Sequence, residues 1–168
     1  VEVFATGGLG GVHHGYGRAW DVSADLAAFT RFPVAVVTSG VKSLLDVRAT
    51  REALETLGVP VVGVGTACFP AFYLRESEAG VDARFDSLEA LAHFLVAELK
   101  RTGRGIVVAN PIPAADAVPL DAWEGWLTEA RARVARTDVV GRAITPALLA
   151  AIVEVSDGKT LLANEALI

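Results

Sequence analysis

Short apolar runs alternate with longer amphipathic segments along this chain, and the alternation constrains its fold more than any other feature. The runs are rich in valine, as strands buried on both faces are, and they lie at 2–6, 33–37, 60–64 and 105–110. Apolar residues recur at helical spacing in three longer segments, at 41–57, 87–102 and 119–137. Because alternating strands and helices favour right-handed crossovers, we predict an α/β fold: a mostly parallel sheet with helices on both faces.

Composition narrows the class of protein further. The chain has 168 residues, of which 52% are hydrophobic, and this fills one domain core, so we expect a single α/β domain over 1–168. The formal net charge of −5 favours neither nucleic acid nor an anionic membrane as a partner. No apolar run approaches the roughly 18 residues of a membrane span, and we expect a cytoplasmic protein.

The two ends of the sequence suggest part of a longer chain. There is no methionine, and "VEVFATGG" opens inside a predicted strand. The other end, "LLANEALI", stops within a helical pattern that has no terminating glycine. We therefore expect the middle and C-terminal portion of a longer polypeptide.

Smaller signals refine the elements. Ser87 is predicted to cap the helix that follows it, and Thr145 with Pro146 marks a further helix start. The stretch 69–87 is expected to add a short strand pair at an edge of the sheet. Cys68 lies among apolar residues, so a buried, unreactive thiol is favoured over a reactive one. The three histidines have no partners at zinc-ligand spacing.

The unusual residues collect in the turns that follow the predicted strands. In open α/β sheets, ligands bind beyond the carboxyl ends of the strands. The turns there read "ATGGLGGVHHGYG" (5–17), "TSGVKS" (38–43), "VGTACFP" (64–70) and "ANPIPAAD" (109–116). A binding site is therefore expected where these four turns meet.

Lys42 stands between a predicted strand and a predicted helix. A cation is disfavoured near a helix N-terminus, by about 0.3–1 kcal/mol. One interpretation is structural: the ammonium is solvated or pairs with Asp46, four residues on. The other is functional, because a helix N-terminus and partial desolvation both favour the neutral amine that attacks carbonyl carbons.

The glycine-rich turn after the first strand also has two interpretations. It does not have the spacing of a Walker loop or of the dinucleotide fingerprint. Its backbone N–H groups and the Thr6 hydroxyl suit an anion or a sugar, whereas a tight structural turn needs the same glycines. His13 and His14 either assist phosphate binding or are simply solvated.

Three polar residues alternate in "DVSADL". Ser23 or Asp21 is a candidate helix cap, with Asp25 complementing the helix dipole. Alternatively, one carboxylate binds a hard cation, because Mg²⁺ or Mn²⁺ often takes only one or two protein carboxylates and keeps waters. Asn110 and Asn164 are each equally suited to a local backbone contact or to a ligand.

Taken together, the motifs resemble the pseudouridine-5′-phosphate glycosidase family, in order and at its spacing, over essentially the whole chain. The matching stretches are "VFATGGLGGVHHG", "DVSADL", "SGVKSLLD", "GVPVVGVGT…FPAFY", "ANPIP" and "ITPALLAAI…GKTLLANEAL". The resemblance implies an α/β enzyme, typically a homotrimer. Such an enzyme reversibly cleaves the C–C glycosidic bond of pseudouridine 5′-phosphate to uracil and ribose 5-phosphate, with a divalent metal that is usually Mn²⁺.

The resemblance also implies roles for single residues. Lys42 falls on the catalytic lysine that forms a Schiff base with C1′ of the opened ribose, and Asp21 on the metal ligand. The other implied positions bind substrate: Ser23, Ala24 and Asp25 in the "DxSAD" motif, Thr6 and His13 in the glycine-rich turn, and Asn164 near the base.

Departures from the family pattern leave alternatives open. A general acid/base glutamate and a second lysine of the family lie N-terminal to the "VFATGG" motif. His14 replaces a common arginine, and Glu165 replaces an apolar residue. The stretch "TACFP" lacks the acidic residue often found before Phe-Pro, and "ANPIPAAD" lacks a commonly seen glutamate after the prolines. A C-glycosynthase of a natural-product pathway, and a non-catalytic sugar-phosphate-binding module or pseudoenzyme subunit, are the competing hypotheses.

Overall fold

The four apolar runs form four strands of one parallel sheet, and a fifth strand joins them from the stretch 69–87. The computed structural model describes residues 2–15, 17, 21–139 and 143–167. The strands are β1 (Val3–Thr6), β2 (Ala35–Thr38), β3 (Val61–Val64), β4 (Ala83–Phe85) and β5 (Ile106–Ala109). Their order across the sheet is β1-β2-β5-β3-β4, and each neighbouring pair is parallel. The predicted α/β fold with a parallel sheet is confirmed.

Helices follow the strands in the order that the sequence predicts, with one more before β2. The helices are α1 (Ala24–Phe29), α2 (Val47–Thr56), α3 (Leu88–Thr102), α4 (Leu120–Val134), α5 (Ile144–Val155) and α6 (Lys159–Glu165). Ser87 caps α3 as predicted, because its hydroxyl accepts a hydrogen bond from the N–H of Ala90 at 3.3 Å. None of the helices within the described ranges is long and apolar enough to cross a membrane.

The sheet is covered on both faces. All four residues of β5 are buried, and alternate residues face opposite sides. Val107 belongs to the apolar cluster that contains Leu26 of α1 and Leu54 of α2, whereas Val108 packs in the cluster of Leu91 on α3. This two-sided burial explains why β2, β3 and β5 read as continuous apolar runs rather than as alternating ones, whereas the edge strand β1 is mostly exposed.

Helices α4 to α6 form a separate apolar cluster. Trp123 of α4 and Ile152 of α5 are both buried there, together with Tyr73 and Ile112 from turns that follow the sheet. The N–H of Val118 donates to the carbonyl of Tyr73 at 3.0 Å, which ties the approach to α4 to the 69–74 turn. These helices are therefore anchored next to the carboxyl ends of the strands.

Four local predictions were wrong in detail. Helix α2 begins at Val47 rather than 41, because the Asp46 carboxylate accepts from the N–H of Ala49 and caps it there. Helix α5 is capped by Ala143, so Thr145 lies inside its first turn. Within 69–87 a single strand, β4, joins the sheet beside β3 instead of a strand pair. Cys68 is half-buried rather than fully enclosed.

Candidate functional site

A polar cavity lies at the carboxyl ends of three adjacent strands. Thr6, Thr38 and Ala109 pair in register as the last residues of β1, β2 and β5. The cavity there has a volume of about 370 Å³, and its polar lining residues are Thr6, Thr38, Ser39 and Asn110. It is therefore located where the topology of an open α/β sheet places a ligand.

The glycine-rich turn is fastened to the start of α1. The N–H of Gly10 donates to Oδ2 of Asp25 at 2.8 Å, and the N–H of Ser23 donates to the carbonyl of Gly11 at 2.9 Å. The Ser23 hydroxyl accepts from the N–H of Asp25 at 3.2 Å, so the predicted helix cap is Ser23. Ala24 is the exposed first residue of α1. In this structure Ser23 and Asp25 hold the turn against the helix.

These contacts limit how the turn meets an anion. The N–H of Leu9 donates to the carbonyl of Gly40 at 2.8 Å, and the N–H of Val12 donates to the hydroxyl of Thr50 at 3.0 Å. With Gly10 bound to Asp25, and the N–H of His13 donating to the carbonyl of Asp21 at 3.0 Å, four N–H groups of the turn already have protein acceptors. The structural interpretation thus holds for this part of the turn, and an anion would have to meet the remaining N–H groups.

Two imidazole–carboxylate pairs flank the turn. Nδ1 of His13 lies 3.7 Å from Oδ2 of Asp21, and Nδ1 of His14 lies 3.8 Å from Oδ2 of Asp46. The Asp21 side chain is 64% exposed. Among the described residues, no group of three or more His, Cys, Asp and Glu side chains is arranged to hold a metal ion. An exposed carboxylate with one imidazole fits a hard cation that keeps most of its waters, and does not form a closed cage.

Lys42 lies beside the glycine-rich turn but not at a helix N-terminus. Its N–H donates to the carbonyl of Leu9 at 3.2 Å, and the side chain is exposed. A Cβ placed on Gly8 would be 3.3 Å from Cγ of Lys42. Since α2 starts five residues later at Val47, the argument from the helix dipole does not apply to this amine. The partner predicted for the ammonium, Asp46, instead caps α2.

The structure adds two residues that the sequence did not single out, Ser39 and Phe72. The N–H of Phe72 donates to the carbonyl of Ser39 at 2.7 Å, and the hydroxyl of Ser39 donates to the carbonyl of Phe72 at 3.0 Å. The Ser39 hydroxyl also accepts from the N–H of Ile112 at 3.1 Å. One buried serine therefore joins the turns after β2, β3 and β5. Its place directly after a buried strand was the available signal.

Asn164 is near the cavity without lining it. It lies half-buried in α6, and the two residues of this region that line the cavity are Ala166 and Leu167. Leu167 also reaches the glycine-rich turn, because a Cβ on Gly7 would be 3.5 Å from its side chain. The structure thus brings together Thr6, Lys42 and the end of α6 around this turn, with His13 and Asp21 at its far side.

Burial raises the pKa of the Tyr73 phenol above its ordinary value of 10.0. The ring of Tyr73 packs between Phe72, at a centroid distance of 4.5 Å, and Trp123, at 5.5 Å. This aromatic row runs from the glycine-rich turn to α4.

The fold and this geometry define an α/β protein with a polar cavity at the carboxyl ends of its strands. Comparison with known proteins gives the family: the family model described as Indigoidine synthase A like protein matches residues 1–168, and the chain belongs to this family.

Curated relatives are named pseudouridine-5′-phosphate glycosidase. Those of Dinoroseobacter shibae and a Nocardioides species are 44% and 46% identical over 169 and 170 residues, and each match covers 100% of this chain and 55% of the relative. The chain therefore spans about half the length of the curated relatives it matches. The resemblance to this family of enzymes, drawn from the motifs, is confirmed.

Two solved structures share the fold. The prealnumycin C-glycosynthase AlnA, in complex with ribulose 5-phosphate, superimposes with a TM-score of 0.91 at 37% identity, over 99% of this chain and 55% of that one. An indigoidine synthase A-like protein from Thermotoga maritima gives a TM-score of 0.85 at 39% identity, with the same two coverages. Both support the α/β fold.

Proposed function

We propose that this chain carries the lysine of an enzyme that reversibly cleaves the C–C glycosidic bond of pseudouridine 5′-phosphate. The observation that carries the proposal is the position of Lys42, whose stem lies against Gly8 of the glycine-rich turn. The chain has two other lysines, Lys100 in the last turn of α3 and Lys159 at the start of α6, where its ammonium lies 6.0 Å from the Trp126 ring. Neither is next to this turn.

The chemistry proposed for Lys42 is imine formation. In the direction of synthesis, the neutral amine adds to the C1′ aldehyde of ring-opened ribose 5-phosphate, and water leaves. The iminium carbon then accepts an electron pair from a carbon of uracil, that carbon loses its proton to a base, and the sugar hydroxyl displaces the amine as the ring closes. Cleavage follows the same steps in reverse: the uracil carbon regains its proton, and the C–C bond breaks as the lone pair of the lysine nitrogen forms the iminium with C1′.

The proton transfer needs a further group. The family resemblance assigns it to a glutamate outside the matched motifs, and we keep that assignment as part of the proposal. Our proposal for the residues of this chain accordingly concerns imine formation by Lys42 and the binding of metal and substrate around it.

The proposed divalent metal is Mn²⁺, with Mg²⁺ as the alternative. Asp21 would hold it, with His13 at 3.7 Å from the same carboxylate and water completing the coordination. When bound, the metal supplies positive charge close to the sugar phosphate. Asp21 and His13 would then be an anchoring pair for the metal, and Lys42 would bind the sugar from its place beside Gly8 of the same turn.

The remaining residues are proposed to bind the substrate. Thr6 offers a hydroxyl to the sugar phosphate at the end of β1, while Ser23, Ala24 and Asp25 shape the turn that faces it. Asn164 is proposed to meet the base from α6. The proposal includes a homotrimer in the cytoplasm.

A second candidate is a C-glycosynthase with the same lysine chemistry and an aromatic acceptor other than uracil. The specific observation in its favour is the TM-score of 0.91 with a C-glycosynthase that is bound to a pentulose phosphate. The two candidates differ in the acceptor and in the direction of the reaction, and they share Lys42.

Turnover assays test the proposal. Because the proposed proton-transfer glutamate lies outside the matched motifs, the assay uses a polypeptide that includes it. This polypeptide is incubated with pseudouridine 5′-phosphate and Mn²⁺, and free uracil is measured by chromatography. We expect release of uracil that Lys42→Arg abolishes and that Lys100→Arg, the matched control, does not change. Chelation of the metal should slow the release, and Asp21→Asn should raise the Mn²⁺ concentration that restores it. Uracil release by Lys42→Arg at the wild-type rate would refute the role of this lysine.

A further inference from the structure

Phe72 has an unusual backbone conformation for an aromatic residue. Its φ is 60°, in the left-handed region that L-residues other than glycine and asparagine seldom occupy. Such a conformation is energetically unfavourable and persists only where surrounding contacts impose it. Strain of this kind is concentrated at functional sites, and here it lies in the turn packed against the glycine-rich turn.

Two serines impose this conformation. Ser39 binds both backbone polar groups of Phe72, and Ser43 donates from its hydroxyl to the carbonyl of Ala71 at 2.6 Å while accepting from the N–H of Tyr73 at 3.4 Å. Ser39 is three residues before Lys42, and Ser43 is the residue after it. The segment that carries the lysine therefore also fixes the backbone of Phe72 and of both its neighbours.

The imposed conformation aims the Phe72 ring at the space beside Lys42. A Cβ on Gly8 would lie 2.5 Å from Cδ2 of Phe72 and 3.3 Å from Cγ of Lys42. The ring and the lysine stem thus reach the same side of the same glycine, which has no side chain to separate them. The ring is buried, whereas the lysine is exposed.

We propose that Phe72 is a positioning residue for Lys42. Its ring and Gly8 form an apolar wall that restricts the rotamers of the lysine stem, so that the amine is presented over the glycine-rich turn. The inference rests on the proposed function of Lys42. Ordering a lysine side chain in advance removes an entropic cost that would otherwise fall on formation of the imine.

The first test measures the lysine directly and needs no sugar. Reductive methylation with ¹³C-formaldehyde labels all three lysines, and ¹³C relaxation reports the mobility of each, with Lys42→Arg identifying its signal. We expect the methyl groups on Lys42 to be markedly less mobile than those on Lys100 in the wild-type protein. Phe72→Ala should make the two alike, and Phe72→Leu, which keeps an apolar side chain, should restore much of the difference.

The second test measures imine formation. With ribose 5-phosphate at saturation, borohydride trapping should be at least tenfold slower in Phe72→Ala, while the sugar concentration for half-maximal rate changes less than twofold. Phe69→Leu is the matched control, since it shortens a fully buried ring in the same turn away from Gly8. Its trapping rate should equal that of the wild-type protein. If Phe72→Ala does not fold, Phe72→Asn replaces it, because asparagine tolerates the left-handed region.

The outcomes separate the inference from the function on which it rests. Equal mobility of Lys42 and Lys100 in the wild-type protein, or unchanged mobility in the Phe72 variants, would overturn the positioning role. Trapping that proceeds at the wild-type rate in Phe72→Ala would overturn it as well. Absence of any adduct in the wild-type protein would instead contradict the proposed function, and the mobility comparison would still decide for or against positioning.

Discussion

Ser39 and Phe72 exchange two hydrogen bonds across 33 residues of sequence, one from the N–H of Phe72 to the Ser39 carbonyl and one from the Ser39 hydroxyl to the Phe72 carbonyl. Ser39 is only 4% exposed. Because the same hydroxyl accepts from the N–H of Ile112, this residue links three of the turns that surround the cavity. The site is thus held together by a short buried side chain rather than by ion pairs.

Ser39→Ala should destabilise the protein. It leaves the Phe72 carbonyl and the Ile112 N–H buried without their partner, which costs about 1–3 kcal/mol. Urea denaturation measures the change in the free energy of unfolding. Thr128→Ala is the control, since that hydroxyl is exposed on α4 and bonds only within its own helix. A loss no larger than that of the control would contradict the structural role of Ser39.

Gly8→Ala should disturb both the fold and the lysine. Its new methyl group would overlap the Phe72 ring at 2.5 Å, and relieving such overpacking costs about 1–3 kcal/mol. The temperature of thermal unfolding should fall, and borohydride trapping should be slower. Gly125→Ala provides the contrast. Gly125 has free space around it in α4, so the free energy of unfolding of this variant should rise by about 0.5–1 kcal/mol. Wild-type stability and trapping in Gly8→Ala would show that this contact is not close.

Asp25→Ala should loosen the glycine-rich turn. The carboxylate accepts from the N–H of Gly10, so its loss should speed exchange of that amide with solvent deuterium by about tenfold, equivalent to about 1.4 kcal/mol. Asp25→Asn retains an acceptor oxygen, so its exchange rate at the Gly10 amide should lie between those of the wild-type protein and Asp25→Ala. Asp86→Asn alters an exposed carboxylate that binds Arg84 elsewhere, and should leave the exchange of Gly10 unchanged.

The buried phenol of Tyr73 should make the stability of the protein depend on pH. Because burial raises the pKa of its phenol in the folded protein, the folded state holds this proton more tightly than the unfolded state. The stability that the protonated phenol contributes is fully present below its ordinary pKa of 10.0, and it is lost as the pH rises through the higher pKa of the folded state. Urea denaturation between about pH 8 and 11 should therefore show Tyr73→Phe losing less stability than the wild-type protein. Parallel profiles would contradict the burial of an ionisable phenol.

The centre of the sheet was predictable because β2, β3 and β5 are largely buried and form clear apolar runs, whereas the short exposed edge strand β4 has no such run. The start of α2 was not predictable in the same way. Leu44 and Leu45 continue the helical spacing, whereas Asp46 in the same segment caps the helix. Propensity and periodicity do not distinguish a capped helix from one that begins six residues earlier.

The site was predictable only in its outline. The turns after the strands were expected to converge, and the contacts of Ser39 with Phe72 and Ile112 confirm this for three of them. Of the two candidate helix caps, Asp21 and Ser23, the structure has Ser23. The role of Phe72 was hidden, because its left-handed backbone depends on Ser39, 33 residues away, and no local pattern records that contact. Lys42 was found through its motif, whereas the reason first given for its placement, a helix N-terminus, was wrong.

The account depends on one bond between Lys42 and a sugar. Ribose 5-phosphate and borohydride are added to the protein, and digestion followed by mass spectrometry shows which of Lys42, Lys100 and Lys159 carries the reduced sugar. The account predicts the adduct on Lys42, and its absence from Lys42→Arg. A sugar distributed equally over the three lysines, or no adduct at all, would contradict it.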